Sequence, residues 1–561
     1  MRNSSSFRVI HDKEAYLNRL HGKSSSVALP TSEIIRNPKY KLNVIIPAMN
    51  EADTLSGVLS EINRFKPDRV IVVVNGAKDR TAQIAKQHGA HVIHYSYPLG
   101  NDLGRALGAL QSNADIYLFT DADIVIKAED YLPFIQDIEN GKDVSINSID
   151  WITKVKSADT ISLARYFLNA IQKKNEIRAE NVLTIPHAFS HKALIAIGKT
   201  ALANPVLAHS IAIDKGLQFS IPHSIDVLAV NKRRANHIPK PGEIMGEAMQ
   251  RMHGDSLEAF DYLFDTYGPT LHYPNQSFIK PLSYSFRLKW QALSQAKERS
   301  VIIFIPNGID VIKLYEQFQS FNAEFIPILY NENTSACKIF QELAIPCISV
   351  DQTYSLGNVF YLGSQIAQGN SLFFHTADIP LDPNSIKMFF REIEEIKIDV
   401  CLNDQSSYLQ AIEQTELIHI GNKLLNVTAG NHSIQNSSLL IPPFAMKRSV
   451  LCMLNQPLFQ HLGMTHIKIL EQGYQVTAPL HIESMSFVKN NQEELLSSLL
   501  TGFDYWIRSY GPRGAFTDGA RRRDILDTST MYLKECISSS RIQKSEINLD
   551  TVLEEEPIIH H

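Results

Sequence analysis

Two carboxylates that follow an apolar run are the residues of this chain best suited to chemistry. The run of residues 116–119 leads into Thr120, and Asp121 and Asp123 follow with one alanine between them. Such a run is typical of a buried strand, and ligands of open α/β sheets bind just beyond strand carboxyl ends. An Asp-x-Asp pair offers the oxygen ligands that Mg²⁺ or Mn²⁺ prefers, and such a cation can hold a diphosphate. On its own the pair is equally typical of a polar turn.

The elements ahead of this pair alternate between strand and helix. Apolar runs predict strands at residues 44–47, 70–74 and 91–95, and apolar residues at helical spacing predict a helix behind Asp53 and Thr54. A second helix begins near Thr81 and ends at Gly89, a typical C-cap residue. This alternation predicts a mostly parallel sheet that is covered on both faces.

Four segments of the first half recur in the second half in the same order. Their offsets lie between 243 and 257 residues, and the pairs are 97–101 with 354–358, 119–124 with 374–379, 183–186 with 439–442, and 260–269 with 503–512. Such repetition predicts a duplicated domain with a junction near residues 285–298. We therefore expect an N-terminal extension over 1–40, a catalytic domain over 41–290, a degenerate copy over 298–535 and a disordered tail over 540–561.

Four motifs of the first copy resemble those of the family 2 glycosyltransferases. Pro47 to Glu51, residues 74–81, residues 104–108 and the Asp121–Asp123 pair occur in that family's order within residues 41–240. The resemblance implies the GT-A fold. The fold class expected is thus α/β, with two tandem GT-A-like, Rossmann-like domains whose mostly parallel sheets are flanked by helices. The resemblance also implies a nucleotide-sugar donor and a Mg²⁺ or Mn²⁺ cofactor.

The resemblance further implies roles for individual residues. It places the base and ribose of the nucleotide near Glu51 and Asp79, and Pro47 and Asn75 belong to the same motifs. It also places the diphosphate at Arg105, the ribose near Asp121 and the metal at Asp123. Transfer develops negative charge on the departing diphosphate, which a cation and a guanidinium would stabilise. From the residues alone, Glu51 and Asp79 are equally typical of helix caps, and Arg105 of an exposed helical position.

Two departures from the family pattern leave parts of the reaction open. Family members usually carry an acid where Asn75 stands, so the nucleotide base is undetermined. Inverting members also carry a Glu-Asp pair before a glycine, whereas this chain has only Asp214 before Gly216. One explanation is a histidine base, His187 or His209, because an imidazole pKa suits proton transfer near neutral pH.

A retaining reaction is the other explanation. Glucosyl-3-phosphoglycerate synthases retain configuration and carry a similar stretch to residues 231–237. That resemblance implies that His237 is a further metal ligand and that the adjacent arginines face a phosphate. A surface loop with one ordinary histidine explains the same stretch.

The second copy lacks most of the residues with predicted roles. No acid matches Glu51, and Thr376 stands where Asp121 stood, which leaves Asp378 as a single carboxylate. One carboxylate holds a cation poorly beside a diphosphate. This copy is expected to serve packing, dimerisation or acceptor binding.

Composition narrows the class of protein. The 561 residues carry a net charge of -5, with 44% hydrophobic and 20% charged residues, as expected of a soluble globular protein with no nucleic-acid partner. Arg521-Arg522-Arg523 is typical of solvated surface. Residues 1–6 lack a secretory core, no run approaches the ~18 apolar residues of a membrane span, and the five cysteines form no Cys-x-x-Cys pair. A reducing cytoplasm is the expected location.

The leading hypothesis is a cytoplasmic, metal-dependent hexosyltransferase-type enzyme whose first domain is active. Its acceptor is open among a glycan, a lipid-linked molecule and a small phosphorylated molecule, and homo-oligomers are possible. A nucleotidyltransferase is less compatible, because Glu51 stands where a glycine-rich phosphate loop would run. A non-catalytic sugar- or nucleotide-binding protein of a polysaccharide assembly is the alternative from another class.

Overall fold

The computed structural model describes residues 39–154, 158–227, 238–240, 243, 245–275, 278–294, 297–331, 333–454, 456–526 and 558–560. The chain divides into two compact units, residues 1–262 with 512–542 and residues 263–511 with 543–561. In this division residues 512–526, which lie within the range predicted for the second copy, belong to the first unit. The predicted extension and tail lie outside the described residues, apart from residues 39–40 and 558–560.

The first unit is built on a seven-stranded sheet with the order β3-β2-β1-β4-β6-β5-β7. Strand β6 runs antiparallel to both of its neighbours, and the other pairs are parallel. The strands are β1 (Leu42–Ala48), β2 (Arg69–Asn75), β3 (His91–Tyr95), β4 (Ile116–Phe119), β5 (Val144–Ile146), β6 (His187–Ser190) and β7 (Phe219–Ser220). Five consecutive apolar residues make β2 a buried strand, as its sequence predicts.

Helices cover both faces of this sheet. One buried apolar cluster joins helices α3, α6 and α7 to one face, and another joins α1 and α4 to the other face. The helices are α1 (Leu55–Asn63), α2 (Thr81–Gln87), α3 (Leu103–Leu110), α4 (Ala128–Glu139), α5 (Thr160–Ile171), α6 (His191–Ile197), α7 (Pro205–Asp214) and α8 (Glu247–Tyr267), the last of which continues into the second unit. The predicted α/β class with a mostly parallel, helix-flanked sheet is confirmed.

The second unit repeats the strand order of the first and adds one edge strand. Its sheet reads β14-β12-β13-β11-β8-β9-β10-β15, and β13 runs antiparallel as β6 does. The strands are β8 (Arg299–Ile305), β9 (Ala323–Tyr330), β10 (Cys347–Val350), β11 (Ser371–Thr376), β12 (Val400–Asn403), β13 (Phe444–Lys447), β14 (Val476–Leu480) and β15 (Ile558–His560).

The helices of the second unit follow a similar succession. They are α9 (Tyr284–Leu293), α10 (Val311–Gln319), α11 (Thr334–Glu342), α12 (Leu356–Ile366), α13 (Pro383–Glu394), α14 (Leu417–Thr428), α15 (Arg448–Met453), α16 (Leu462–Glu471), α17 (Met485–Asn490) and α18 (Gln492–Tyr510). No helix among the described residues is long and apolar enough to cross a bilayer. Cys337, Cys347 and Cys401 are buried free thiols, and Cys452 is an exposed one.

A buried asparagine and histidine make the same contacts in both units. The Asn169 amide donates to the carbonyls of Arg178 and Glu180, and its oxygen accepts from His209 Nε2 at 3.1 Å. Asn426 and His466 repeat this arrangement at 2.7 Å. Since each ring donates to an amide oxygen inside the core, the histidine is a structural group in both units. His209 is therefore not available as the base that the sequence offered.

Burial lowers the pKa of both His209 and His466 to about 3, whereas an unfolded histidine titrates near 6.5. Below about pH 6.5 the unfolded chain therefore binds protons that the folded chain does not, and stability falls as the pH falls. Each such histidine contributes a slope of about 1.4 kcal/mol per pH unit.

We expect His209→Gln to lower this slope by about one histidine's contribution between pH 6 and 4, because the glutamine amide can donate to Asn169 but does not titrate. Urea unfolding at several pH values measures the slope. The control is His91→Gln, which removes an exposed histidine from the same unit. Equal changes in the two variants would contradict the assignment.

Candidate active site

The predicted acidic pair lies on the loop that leaves β4 at the carboxyl edge of the first sheet. Strands β1, β2 and β4 run parallel, so their carboxyl ends share this edge. The Thr54 hydroxyl donates to the Ala122 carbonyl at 2.9 Å, which ties the acidic loop to the segment after β1. The structure thus brings Asp121 and Asp123 to the edge where ligands bind in sheets of this kind.

Arg105 bridges two carboxylates at this edge. It lies in the first turn of α3, and its side chain is only 7% exposed. One terminal nitrogen donates to Asp121 Oδ1 at 2.7 Å, and the other donates to Asp102. The predicted exposed position is therefore wrong, and the guanidinium is fixed by its carboxylate partners.

Asp102 is the anchor of a larger group of charges. It precedes α3 in a left-handed backbone conformation, with φ at +68°. Besides Arg105, it accepts from Arg251 at 3.1 Å and from Arg521 at 2.8 Å. Burial alone raises the pKa of this carboxyl, but the three guanidinium groups outweigh burial and hold the pKa at about 2. Because Arg251 and Arg521 also pair with Asp102, this carboxylate does not fully neutralise the positive charge of Arg105.

Arg521 belongs to a C-terminal segment, residues 512–526, that packs on the first unit after the chain has completed the second. Its side chain is fully buried and also pairs with Asp255, at 2.6 Å and 2.7 Å. The backbone N–H of Arg522 donates to the Leu99 carbonyl, and a Cβ on Gly100 would lie 2.8 Å from the Arg521 Cα. The segment therefore packs directly on the loop that carries Asp102.

Two further arginines of this segment contact helix α8. Arg513 and Arg523 both pair with Glu258, and Arg513 also reaches Asp255 at 2.6 Å. The prediction that the arginine triplet is solvated surface is thus wrong for Arg521 and holds for Arg522, which is about half exposed. No local sequence signal marks the difference, because the acidic partners of Arg521 in α3's N-terminal loop and in α8 are hundreds of residues away.

The residues predicted to contact the nucleoside connect the loops after β1 and β2. Asp79 accepts from the Thr81 and Ala52 backbone N–H groups, both at 3.0 Å, so it also acts as the cap that its sequence allowed. Glu51 is 8% exposed, and its backbone N–H donates to the Thr81 hydroxyl. Thr81 and Asp79 thus tie the loop after β2 to the loop after β1, which carries Glu51.

Asn75 and Pro47 support the same edge. The Asn75 amide donates to the Ala48 carbonyl at 3.3 Å, and its oxygen accepts from the Leu99 N–H at 3.4 Å. A Cβ on Gly104 would lie 2.7 Å from the Pro47 Cβ, so the glycine lets α3 lie directly on β1. Both predicted residues therefore position the loops that carry the acids.

The predicted acceptor contact at His187 does not agree with its position. The ring lies within β6, is 1% exposed and stacks on Phe119 with 5.1 Å between ring centres. Its Nδ1–H donates to the Thr184 carbonyl at 3.1 Å. Burial, reinforced by Arg105, lowers the pKa of His187 to about 3, so the ring is neutral near pH 7. We correct its role to packing beneath Arg105.

The counterpart of His187 in the second unit is also different from the one predicted. Pairing in the sheets sets Phe119 opposite His187 and Phe374 opposite Phe444, so the match is Phe444 and not Pro443. The repeat is offset by 257 residues here, one more than the predicted alignment of residues 183–186.

Asp214 lies at the opposite edge of the sheet from Asp121. It ends α7 just ahead of β7, which runs parallel to β5, and thus lies near the amino ends of these strands. Its carboxylate accepts from the Tyr262 hydroxyl at 2.7 Å and pairs with Lys215 at 3.1 Å. The predicted catalytic role of Asp214 is therefore replaced by a structural one.

The proposed metal site rests on Asp121 and Asp123. His237, the third predicted ligand, lies outside the described residues. Within the described part of the chain, no three acidic, histidine or cysteine side chains are grouped as a metal cage. Magnesium commonly binds one or two carboxylates together with substrate phosphates, so two aspartates fit a cation that is shared with a diphosphate.

Comparison with known proteins finds similarity within the first unit. Residues 43–198 match the family described as Glycosyl transferase family 2. A dolichyl-phosphate hexose transferase of Haloferax volcanii is 36% identical over 115 residues, which cover 20% of this chain and 49% of that protein. A dolichyl-phosphate beta-glucosyltransferase of Drosophila melanogaster is 31% identical over 137 residues, or 21% and 41% of the two chains. Residues 43–198 of the first unit are thus similar to the family 2 glycosyltransferases.

The similarity covers part of the molecules compared. The chain spans about half the length, or less, of these curated relatives. A structure of glucosyl-3-phosphoglycerate synthase from Mycobacterium tuberculosis in complex with Mn²⁺, UDP and phosphoglyceric acid is 17% identical, covers 43% of this chain and 82% of that one, and has a TM-score of 0.31.

Proposed function

We propose that the first unit transfers a sugar from a nucleoside-diphosphate-sugar donor to an acceptor. The observation that carries this proposal is the pairing of Arg105 with Asp121 beside Asp123 at the carboxyl edge of β4. These residues lie inside the range that matches the family 2 glycosyltransferases. The arrangement provides acidic groups for a cation and a fixed positive charge at the place where a diphosphate would lie.

A divalent cation fits the chemistry of this site. Asp121 is partly exposed, with 32% of its side chain accessible, and its carboxylate shares one oxygen with Arg105. Asp123 is also partly accessible on the same loop. When bound, Mg²⁺ or Mn²⁺ supplies Lewis-acid stabilisation of the departing diphosphate.

Arg105 acts as a positioning residue in this proposal. During transfer, the bond between the sugar carbon and the diphosphate oxygen breaks, and the acceptor oxygen forms the new bond to that carbon. Negative charge grows on the diphosphate, so groups that are already oriented toward it lower the barrier. Arg105 holds Asp121 in one orientation, while Arg251 and Arg521 keep Asp102 ionised beneath it.

We further propose that the acceptor carries a phosphate group. The names of the Haloferax volcanii and Drosophila melanogaster relatives both specify dolichyl phosphate. These two relatives support a phosphate-bearing acceptor for this chain, and they do not determine the organic group that carries the phosphate. A cytoplasmic location and oligomer formation stay predictions.

The second unit is proposed to be a duplicated copy without this activity. The two sheets share strand order and directions, which supports duplication. Gly108 lies against Ile45 as Gly363 lies against Ile302, so these two glycines are equivalent positions. Three residues before each glycine, Arg105 of the first unit therefore corresponds to Phe360 of the second. Phe360 packs on Phe374 and Phe444, the counterparts of Phe119 and His187. Aromatic packing thus replaces the charged site.

A nucleotide-sugar screen tests the proposed function. We expect the Tm of the full-length protein to rise when a nucleoside-diphosphate sugar and Mn²⁺ or Mg²⁺ are present together. At about 100 times the dissociation constant, binding stabilises the folded state by about 2.7 kcal/mol. For a domain of this size the shift is roughly 5–10 °C.

Slow release of free sugar from the stabilising donor distinguishes a transferase from a binding protein. We expect hydrolysis of that donor, dependent on the cation. Stabilisation without any release of sugar would favour the non-catalytic alternative, and the absence of stabilisation by every nucleotide sugar would contradict the proposed function.

A further inference from the structure

A cavity of about 300 Å³ lies within the second unit, between α9, α12 and α15. Its lining includes both charged and aromatic side chains: Tyr284, Arg287, Gln365, Arg448, Cys452 and Phe459. This volume is at the lower end of the range for small-ligand sites. No carboxylate of the described residues contributes to the lining.

Two buried donors of the cavity have no acceptor among the described residues. These atoms are Arg287 Nε and Gln365 Nε2. Arg448 donates to the Gly369 carbonyl at 3.3 Å, and neither arginine forms an ion pair with a described carboxylate. Both atoms are closed off from the cavity, so the charge that an anion in the cavity would meet comes from the guanidinium groups that line it.

The cavity is separate from the edge that corresponds to the donor site. Arg448 follows β13 directly, and its backbone N–H donates to the carbonyl of Asn370, the residue before β11. The cavity therefore lies at the amino end of β11, whereas ligands of such sheets bind at strand carboxyl ends. It is not the remnant of a nucleotide-sugar site.

The polar lining is particular to the second unit. Since Gly108 matches Gly363, the residues that correspond to Ser364 and Gln365 are Ala109 and Leu110. His191 matches Arg448, because both follow the antiparallel strand and donate their N–H to the residue before the neighbouring parallel strand. Relative to the first unit, the second has a hydroxyl, an amide and a guanidinium at these three positions.

We propose that this cavity binds a small organic anion through a phosphate group. The guanidinium groups of Arg287 and Arg448 supply charge and planar donors that suit phosphate oxygens. Tyr284, Leu288 and Phe459 supply apolar surface for an organic part. This site is independent of the function proposed for the first unit.

Cys452 provides a test that needs no substitution, because it lines the cavity and is exposed. We expect inorganic phosphate to slow its reaction with a thiol reagent in the full-length protein, relative to chloride at equal ionic strength. The rate falls about tenfold when phosphate stands at about ten times its dissociation constant. Peptide mapping by mass spectrometry reads this cysteine separately from the others.

Arginine variants connect the protection to the site. Arg287→Met and Arg448→Met should abolish protection, while Arg391→Met, at an exposed ion pair with Glu395 in the same unit, should leave it unchanged. Glucose 1-phosphate tests the organic part of the proposal. Protection at a lower concentration than inorganic phosphate supports an organic ester, whereas protection only at an equal or higher concentration would show that the cavity binds phosphate itself and would overturn that part. No protection of the wild-type thiol by either compound, or equal protection in all variants, would overturn the proposal.

Discussion

Replacing Arg521 by methionine is expected to destabilise the first unit by about 3–5 kcal/mol, because removal of one partner leaves buried charges uncompensated. Arg521 is fully buried, and it donates to both Asp102 and Asp255, which are at most 5% exposed. Methionine keeps much of the side-chain length but supplies no hydrogen-bond donor. Chemical denaturation of the full-length protein measures the loss.

Arg522→Met is the matched control for this substitution. Arg522 neighbours Arg521, but it is about half exposed and pairs with the exposed Asp524. Its replacement should leave the free energy of unfolding almost unchanged, because exposed ion pairs contribute little. Equal effects of the two substitutions would show that the C-terminal segment does not depend on the buried pairs.

A double substitution separates the charge effect from general loss of packing. In Arg521→Met with Asp102→Asn, the carboxylate that lost one of its three guanidinium partners is also removed, so the combined loss of stability should be smaller than the sum of the two single losses. A coupling energy of about 0.5–3 kcal/mol is typical of residues in one ion-pair network. Additive effects would contradict the view that Arg521 acts on Asp102.

The acid dependence of this network follows from the same contacts. Asp102 has a folded pKa of about 2, below its ordinary value of 3.8, so its stabilising contribution is present above pH 4 and is lost as the pH falls toward 2. Burial raises the pKa of Glu258, but Arg523 and Arg513 outweigh burial and lower it overall. Both carboxylates therefore favour the folded state in the same pH range.

The sheet and the acidic loop were predictable from sequence because they depend on local patterns. The apolar runs of β1, β2 and β4 identify buried strands without any knowledge of their partners. Once β4 is assigned, the position of Asp121 and Asp123 at a carboxyl edge follows from the chain direction. The strand order of the second half was implied by the repetition of its motifs.

The roles of His187 and Asp214 were not predictable in this way. The histidine side chain is chemically suited to proton transfer in any sequence. Only the pairing of β6 with β4 shows that His187 is enclosed. Asp214 was selected for its distance from Gly216, but the direction of β7 places it at the wrong edge. Residue type and spacing carry no information about burial or about the edge of the sheet, so neither position follows from the sequence.

Arg521 shows the converse error. Its neighbours Asp518 and Asp524 make the triplet resemble an exposed charged turn, and Arg522 and Asp524 do behave in that way. The partners that distinguish Arg521 are Asp102 and Asp255, which lie 419 and 266 residues earlier in the chain. A contact at such separation leaves no periodic signal in a single sequence.

Asp123→Asn is expected to reduce donor-dependent activity by about 10²–10³-fold, the effect typical of removing one group that stabilises transition-state charge. Under the proposed function, Asp123 is a cation ligand on the accessible loop after β4. The amide keeps the shape of the side chain but removes its charge, so the stabilisation that requires both nucleotide sugar and Mn²⁺ should disappear as well. Tm measurements and sugar transfer or hydrolysis in the same preparation check both effects.

The control for this change is the corresponding carboxylate of the second unit. Asp378 is exposed, accepts from the Thr376 hydroxyl at 2.5 Å, and has no second aspartate two positions before it. A lone carboxylate that is already bound to a hydroxyl offers a cation little beside a diphosphate. Asp378→Asn should therefore leave both metal-dependent stabilisation and activity intact. Equal losses in the two variants would mean that the second unit also binds donor, and normal activity of Asp123→Asn would mean that the proposed cation site is elsewhere.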